Sequence, residues 1–544
     1  MASSPYKPNN EERDNYFYGF SGSPKLVART GHNHWSKSLV ESELSWQSEL
    51  IQHHKHYMAL DDSDIIGKWS KDLSISIITA LGQCRWSYFF PIRTCIRDEF
   101  HRQEGAAATI LLVAVEPDSL QWEDGITIAL SCRDIIRKFK LFDIEVEIME
   151  GCYTQHAASI QLEAHFDPVY QKTSKKILPL LSYTGYPIAY LKDRRGQGTV
   201  GLHIKLGANE STVYGLTCRH VVYNNRTTHE SYKSSAHESY KPSAEDRQYH
   251  TQANAATFGD ILSSLESTIR EEEAHVTDLQ NRIRKWDEWY QYHNPKNIPP
   301  PTENDRRMLA WKQKSLAYNI SAVEILEQII DRKKRQIGHL AFLPSFTISP
   351  WQPGYLRDWA LVELDPKKFI RGPDNKVFLG FEENKFKPSD IFETTLRLKH
   401  EDEVDLKSYT VAKRGVTTGL TFGTKSGIEA VVRQPGQGLD GDVYTSELLI
   451  VPEKGAKRFS HKGDSGSAIF DAYGYVVGIV TASNGVTDDG RASWRYAPEP
   501  QDADETAAPE MVKLPEGTDI TFAAPIKWVL EDIQDFTGQQ PRLA

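Results

Sequence analysis

The chain has 544 residues, more than one hydrophobic core usually organises, so two to four structural units are expected. With 39% hydrophobic residues, 25% charged residues and a net charge of -10, its composition is that of an ordinary water-soluble protein and leaves no basic footprint for nucleic acid. No apolar run reaches the roughly 18 residues that a bilayer-spanning helix needs, and the N-terminus lacks the charged-then-apolar order of a signal peptide, so a cytoplasmic protein with no membrane partner is expected.

Residues 1–34 are polar and rich in Asn, Ser, Pro and Gly, the composition of a mobile tail. From Trp35 to Leu81 apolar residues recur at mixed spacings (Leu39, Leu44, Leu50, Ile51) and predict short helices. Thr109–Val115 reads as a strand. Asp118 stands where it could cap a helix carrying Ile126, Ala129, Ile136 and Phe139, and Asp143–Ile148 alternates as a second strand. The result is a small α/β module spanning 35–177, with no Gly-rich phosphate loop.

From about Leu178 to 540 the texture changes to short strands punctuated by Gly, Pro and Asp: Tyr186–Tyr190, Thr199–Lys205 and Ser211–Thr217. This is the pattern of an all-β barrel. An insertion, 226–337, interrupts it. It starts with a tandem octapeptide repeat (229–244) whose polarity suits an exposed loop, and a heptad seam follows: Leu262, Leu265, Ile269, Val276, Leu279, Ile283, Trp286, Tyr290, broken only at Glu272. The Pro-rich turn Asn297–Pro301 and a second periodic stretch (Leu309, Leu316, Ile320, Val323, Ile330, Ile337) complete an inserted α-helical hairpin. It is either a protein-binding arm (255–337) or a self-packed insertion.

The five cysteines, Cys84, Cys95, Cys132, Cys152 and Cys218, are odd in number and scattered, without a Cys-x-x-Cys pair or a His cluster. Reduced thiols and no metal or other cofactor are expected. Three other segments carry chemistry. Thr217-Cys-Arg-His220-Val-Val ends a strand run with an imidazole; Asp358-Trp-Ala-Leu-Val-Glu-Leu leads an acid into an apolar strand; Gly463-Asp464-Ser465-Gly466-Ser467 places a serine between glycines. A serine hydroxyl needs a neighbouring imidazole to take its proton and a carboxylate to hold the imidazole's tautomer. The flexible turn lets the amides of Gly463 and Ser465 converge on a developing oxyanion.

With this His, Asp, Ser order and these contexts, residues 180–540 resemble the trypsin/chymotrypsin-like serine peptidases. The Gly-x-Ser-x-Gly elbow of α/β-hydrolases is absent, since position 467 is Ser. Thr217–Val222 and Arg357–Ala360 together are similar to intracellular fungal trypsin-like proteins. The resemblance implies a chymotrypsin-like double β-barrel, a serine endopeptidase acting on a protein or peptide substrate, and His220, Asp358 and Ser465 as base, orienting acid and nucleophile.

Lys413-Arg-Gly-Val-Thr-Thr-Gly419 resembles the Arg-x-Gly-x-Thr-Thr-Gly segment of bacterial enzymes of this fold, which implies that Lys413 pairs with the buried Asp464 and that no zymogen cleavage is needed. It further implies a specificity pocket at Phe459, Thr481 and Ser483, with Phe459 replacing the acid that would select Lys or Arg, and a last strand with a closing helix at 519–533. The acidic loop Asp488–Glu516 would border that pocket or be a plain insertion. Two other readings remain open: a catalytically silent scaffold binding partners through the hairpin and N-terminal module, and a self-processing enzyme whose N-terminal region is its substrate.

Overall fold

The computed structural model describes residues 6–17, 20, 24–32, 35, 39–41, 50–52, 54–61, 64–97, 103–151, 153–155, 183–190, 197–209, 211–222, 249–253, 255–293, 303–329, 331, 333–345, 347–348, 354–369, 373–380, 384–386, 395–400, 408–434, 443–453, 458–484 and 519–544. The octapeptide repeat, the turn Asn297–Pro301 and the loop Asp488–Glu516 lie outside them.

The N-terminal elements are α1 (Asn10–Asn15), β1 (Leu26–Arg29), β2 (His54–Met58), α2 (Ser74–Leu81), β3 (Trp86–Arg97), β4 (Gln103–Val115), α3 (Trp122–Lys138), β5 (Glu145–Glu150) and β6 (Thr154–Gln155). In the β4–α3–β5 unit the two strands pair in parallel, Ile110 opposite Glu145 through Val115 opposite Glu150. Asp118 does not cap α3: it takes φ 56 in the turn before it, and the N-cap is Gln121. Residues 1–34 were expected to form a tail, yet Asn9 caps α1 by accepting the Glu12 amide, and all four residues of β1 are buried on β5. Arg29 holds the two elements together, its Nε donating to Glu12 Oε1 at 2.9 Å. Of the short helices expected over 35–81, those at 66–81 form, an α-turn (Ile66–Lys68) and a π-turn (Trp69–Leu73) running straight into α2, whereas 39–41, 50–52 and 54–58 are strands. Pairing across the sheet overrides a weak local pattern here, which is the usual outcome for short segments.

The middle elements are β7 (Tyr186–Tyr190), β8 (Gly198–Val200), β9 (Leu202–Leu206), β10 (Tyr214–Thr217), α4 (Arg219–Val222), β11 (Tyr249–Gln252), α5 (Ala255–His293), α6 (Glu303–Gln328), β12 (Gln336–Phe342) and β13 (Ala360–Leu364). The C-terminal ones are β14 (Tyr409–Gly415), β15 (Gly419–Gln434), β16 (Val443–Pro452), β17 (Ala468–Phe470), β18 (Val476–Ser483), β19 (Thr521–Pro525), α7 (Ile526–Thr537) and β20 (Pro541–Leu543).

The strands make two main sheets. In one, β15-β14-β17-β18-β19-β16 closes on itself through β16–β15 pairing, giving a six-stranded antiparallel barrel. The N-terminal strands join that barrel edge-on, because β3 pairs with β15 at Phe89 opposite Val431 and Tyr88 opposite Val432. The other sheet, ordered β8-β7-β11-β12-β13-β10-β9-β20, is a half-barrel. Its apolar side chains (Leu202, Ile204, Leu216, Val362) share one core with Phe470 and Ile479 of the closed barrel and with Ile526, Val529 and Ile533 of α7. Each such side chain contributes about 1.5–3 kcal/mol by leaving water.

Helices α5 and α6 lie between β11 and β12 in the chain and run antiparallel, with Arg282 on Asp305 and Arg306 on Asp287, each at 2.8 Å. Ile261, Leu265, Thr268, Glu272, Val276, Leu279 and Ile283 form the buried stripe of α5. Glu272 therefore lies on the seam, where its two oxygens accept Ser315 Oγ at 2.8 Å and Asn319 Nδ2 at 2.7 Å. On α6 the buried face is Ser315, Asn319, Ala322 and Leu326, and Ile320, expected on the seam, is exposed. The buried carboxylate demands donors, and Ser315 and Asn319 supply them, which rotates α6 away from its apolar stripe. The helix also ends at Gln328, short of Ile337, which lies in β12.

Candidate active site

Register places the imidazole beside its carboxylate. In the β10–β13 ladder Thr217 faces Ala360. The two residues beyond Thr217 therefore meet the two before Ala360, and Arg219 N donates to Asp358 O at 3.2 Å. The one-turn α4 then brings His220 back over Asp358, with the His220 amide on Asp358 Oδ1 at 3.1 Å and Nδ1 on Oδ2 at 2.6 Å. With Nδ1–H donating to the carboxylate, the Nε2 lone pair is left for another partner. Nε2 is buried and makes no hydrogen bond among the described residues.

The Asp358 segment is clamped from behind. Asp532, on the otherwise apolar face of α7, accepts Arg357 Nε and Nη2 at 2.9 and 2.8 Å and Trp359 Nε1 at 2.8 Å. The neighbours on both sides of Asp358 are thus tied to one buried carboxylate. Sequence reading overlooked Asp532, whose only signal is an acid placed among Val529, Leu530 and Ile533.

Ser465 stands on the turn between β16 and β17. Gly466, at φ 91, is required there: a Cβ would lie 2.2 Å from Thr199 O and 2.4 Å from Thr217 Oγ1. That contact holds the serine turn of the closed barrel against Thr217 and Cys218 of the half-barrel, next to His220. Thr199 ties the same turn, its amide donating to Ser465 O and its hydroxyl to Gly463 O, both at 2.9 Å. Among the described residues neither the Gly463 nor the Ser465 amide donates a hydrogen bond, and the Ser465 hydroxyl donates to Thr481 O at 3.3 Å.

Asp464 is fully buried and fully bonded. Oδ2 accepts Thr418 Oγ1 at 2.6 Å, His461 N at 3.0 Å and Lys413 Nζ at 3.1 Å, while Oδ1 accepts Thr417 N at 2.8 Å and Thr418 N at 3.3 Å. Burial alone would raise this carboxyl, but the Lys413 charge and the donated hydrogen bonds outweigh it and hold it below the usual carboxylate range. The Gly at 415 has a steric reason: a Cβ there would meet Asp464 Oδ1 at 2.3 Å.

The three residues expected at a specificity pocket part company. Phe459 is core, fully buried among Val411, Leu448, Ile450, Ile469, Val480 and Ala523, with the Lys413 ammonium 5.9 Å from its ring centre. An aromatic ring in a barrel interior this small fills space rather than lining an opening. Thr481 and Ser483 lie on β18, which runs past Ser465: the Gly466 amide donates to Val480 O at 2.8 Å.

Beneath β18 lies a second overlooked acid, Glu447, a single carboxylate in the apolar strand β16. It accepts Thr481 Oγ1 at 2.9 Å and the Tyr153 hydroxyl at 3.3 Å. Burial, reinforced by the negative charges of Asp358 and Glu429, pushes it up to about 8.

Among the described residues, Cys218, His220 and Asp358 are the one set close enough to share a metal ion. Their donors are already engaged: Nδ1 bonds the carboxylate, and the Cys218 thiol, kept protonated by burial, donates to Val480 O at 3.2 Å. A cavity of about 410 Å³ near Tyr249, His339, Glu363 and Lys368 shares none of these residues. Among the described residues no helix is long and apolar enough to cross a membrane. No protein-family model matches the sequence, and no curated protein does.

Proposed function

We propose that this chain is a serine endopeptidase of the chymotrypsin-like double-barrel type, cleaving protein or peptide substrates through an acyl-enzyme. The observation that carries this reading is the 2.6 Å bond from His220 Nδ1 to Asp358 Oδ2, which leaves a partnerless Nε2 beside a Gly-Asp-Ser-Gly turn. The closed barrel packed on a half-barrel, with the candidate residues where the two meet, supports the fold assignment.

In this reading Ser465 turns from Thr481 O to His220. Nε2 takes the hydroxyl proton as Oγ attacks the substrate carbonyl carbon, and Asp358 stabilises the imidazolium without itself being protonated. The free amides of Gly463 and Ser465 receive the oxyanion. Collapse of the tetrahedral adduct breaks the C–N bond, and His220 returns the proton to the leaving amine. Water, deprotonated by the same imidazole, then hydrolyses the ester. Lys413, already paired with Asp464, holds the turn without a cleavage-released N-terminus, so the oxyanion hole needs no proteolytic assembly.

A small alkyl fluorophosphonate tests this directly. It should label the wild type covalently at Ser465, shown by peptide mapping, and leave Ser465→Ala unmodified; a folded wild type that stays unlabelled removes the reading.

A further inference from the structure

Strand β18 has two edges. On one it pairs with β19 as far as Ser483, opposite Thr521. On the other its pairing with β17 begins only at Ile479, opposite Ala468, because the chain before Ala468 turns away to form the Ser465 loop. Val480 is still bonded to Gly466 and Ser467, so residues 481–483 would present an unpaired strand edge directly beside Ser465, the kind of edge to which an extended peptide adds as a further strand. It is not open. The two-residue β6, arriving from the N-terminal sheet, pairs there antiparallel, Gln155 opposite Ala482 and Thr154 opposite Ser483.

The residue before β6 anchors it. The Tyr153 hydroxyl bonds Glu447, the acid that also holds Thr481, and its ring lies 5.3 Å from that of Phe522. Under this arrangement Ser465 is fully buried, although a nucleophile for polypeptides must be reached from outside.

Resting on the peptidase reading above, we propose that Ala482–Ser483 is the edge where a substrate peptide adds to the barrel, and that Thr154–Gln155 of the same chain is its resident occupant. A substrate strand must displace it. The chain is then latent at its substrate edge although its oxyanion turn is preassembled, a form of control distinct from zymogen cleavage. The register, with position 155 opposite Ala482, directs the occupant toward Thr481, so the guest strand runs along the edge in the sense that a substrate strand paired there antiparallel would.

The test uses the full chain with both β6 residues replaced, Thr154→Pro with Gln155→Pro, which removes both N–H donors. Two probes are compared: an alkyl fluorophosphonate, which needs no strand edge, and a tetrapeptidyl phosphonate, which does. Loss of one or two backbone hydrogen bonds should speed peptidyl-phosphonate labelling of Ser465 roughly tenfold over the wild type, with the alkyl probe changed less than about twofold. A synthetic peptide of residues 150–155 added in trans should slow the variant again. Tyr153→Phe, which leaves the strand backbone intact, should give a smaller acceleration and guards against misfolding of the proline variant.

Equal peptidyl-phosphonate rates in wild type and both variants, or equal acceleration of both probes, overturns the proposal. The peptidase reading fails separately, when neither probe labels any of the chains. Edge occupancy is then read from fluorescence anisotropy of a labelled 150–155 peptide: binding to the proline variant and not to the wild type upholds it, and binding to neither overturns it.

Discussion

His220 and Asp358 stand at the ends of two paired strands of the half-barrel, whereas Ser465 stands on a turn between strands of the closed barrel. The first pair is placed by ladder register and backed by one outside carboxylate, Asp532, which grips Arg357 and Trp359. The serine turn has no ladder of its own and is held by a fully buried ion pair, Lys413 with Asp464, 3.1 Å apart. Groups on strand ends can be positioned by backbone hydrogen bonds, while a turn outside any ladder is held by other contacts, here a buried charge pair. Damage to the two halves should therefore differ in kind: loss of rate on one side, loss of stability on the other.

Asp358→Asn gives the sharpest contrast. It keeps the shape but reverses the preferred imidazole tautomer, so kcat for a peptide substrate should fall by about 10⁴-fold with the urea midpoint nearly unchanged. A large loss of stability would mean that the carboxylate is structural. Lys413→Met should do the opposite first, since it strands the Asp464 charge in the interior; unfolding in urea should show a loss of about 3–5 kcal/mol. A Met variant as stable as the parent would show that the four remaining hydrogen bonds suffice.

Asp532→Asn probes the link between the halves, because α7 packs on the core that both sheets share. Losing charge-assisted bonds to Arg357 and Trp359 should cost about 1.5–3 kcal/mol in thermal unfolding. Displacing the Asp358 segment should cut kcat roughly tenfold with KM little affected. Raising KM instead would place Asp532 in substrate binding.

Per pH unit, the smallest expected effect is a pH slope. Glu447 is raised in the folded chain to about 8, so it favours folding only while protonated. Its contribution is whole below the ordinary carboxylate range and is lost as pH rises toward 8. Asp519, pushed up to about 7 by burial, acts in the same direction. Glu447→Gln should flatten stability against pH between 5 and 8 by up to about 1.4 kcal/mol per pH unit, measured by denaturant titration at each pH. An unchanged slope would place the titration elsewhere.

Local pattern carried much of this molecule. Alternation and turn residues marked β7, β9 and β10, the three-four spacing marked α5, and even the polar break at Glu272 was visible as an interruption of the seam. The candidate residues His220, Asp358 and Ser465 stand out in the sequence because each sits in a distinctive short segment: a strand end, an acid before an apolar run, a serine between glycines. Such features depend on residues within a few positions, and periodicity records them directly.

What only the tertiary structure decided were the meetings of distant segments. Arg357 and Asp532 are 175 positions apart, and Tyr153 and Glu447 are 294 apart. A period tells which face of an element is buried and not what buries it. Phe459 is an instance, buried in a core cluster where the sequence suggested a pocket, since an apolar residue reads the same in a pocket wall and in a packed core. The supposed tail at β1 and the two residues of β6 are too short to carry a pattern; their strand character comes entirely from the ladders that receive them, β5 for one and the edge beside Ser465 for the other.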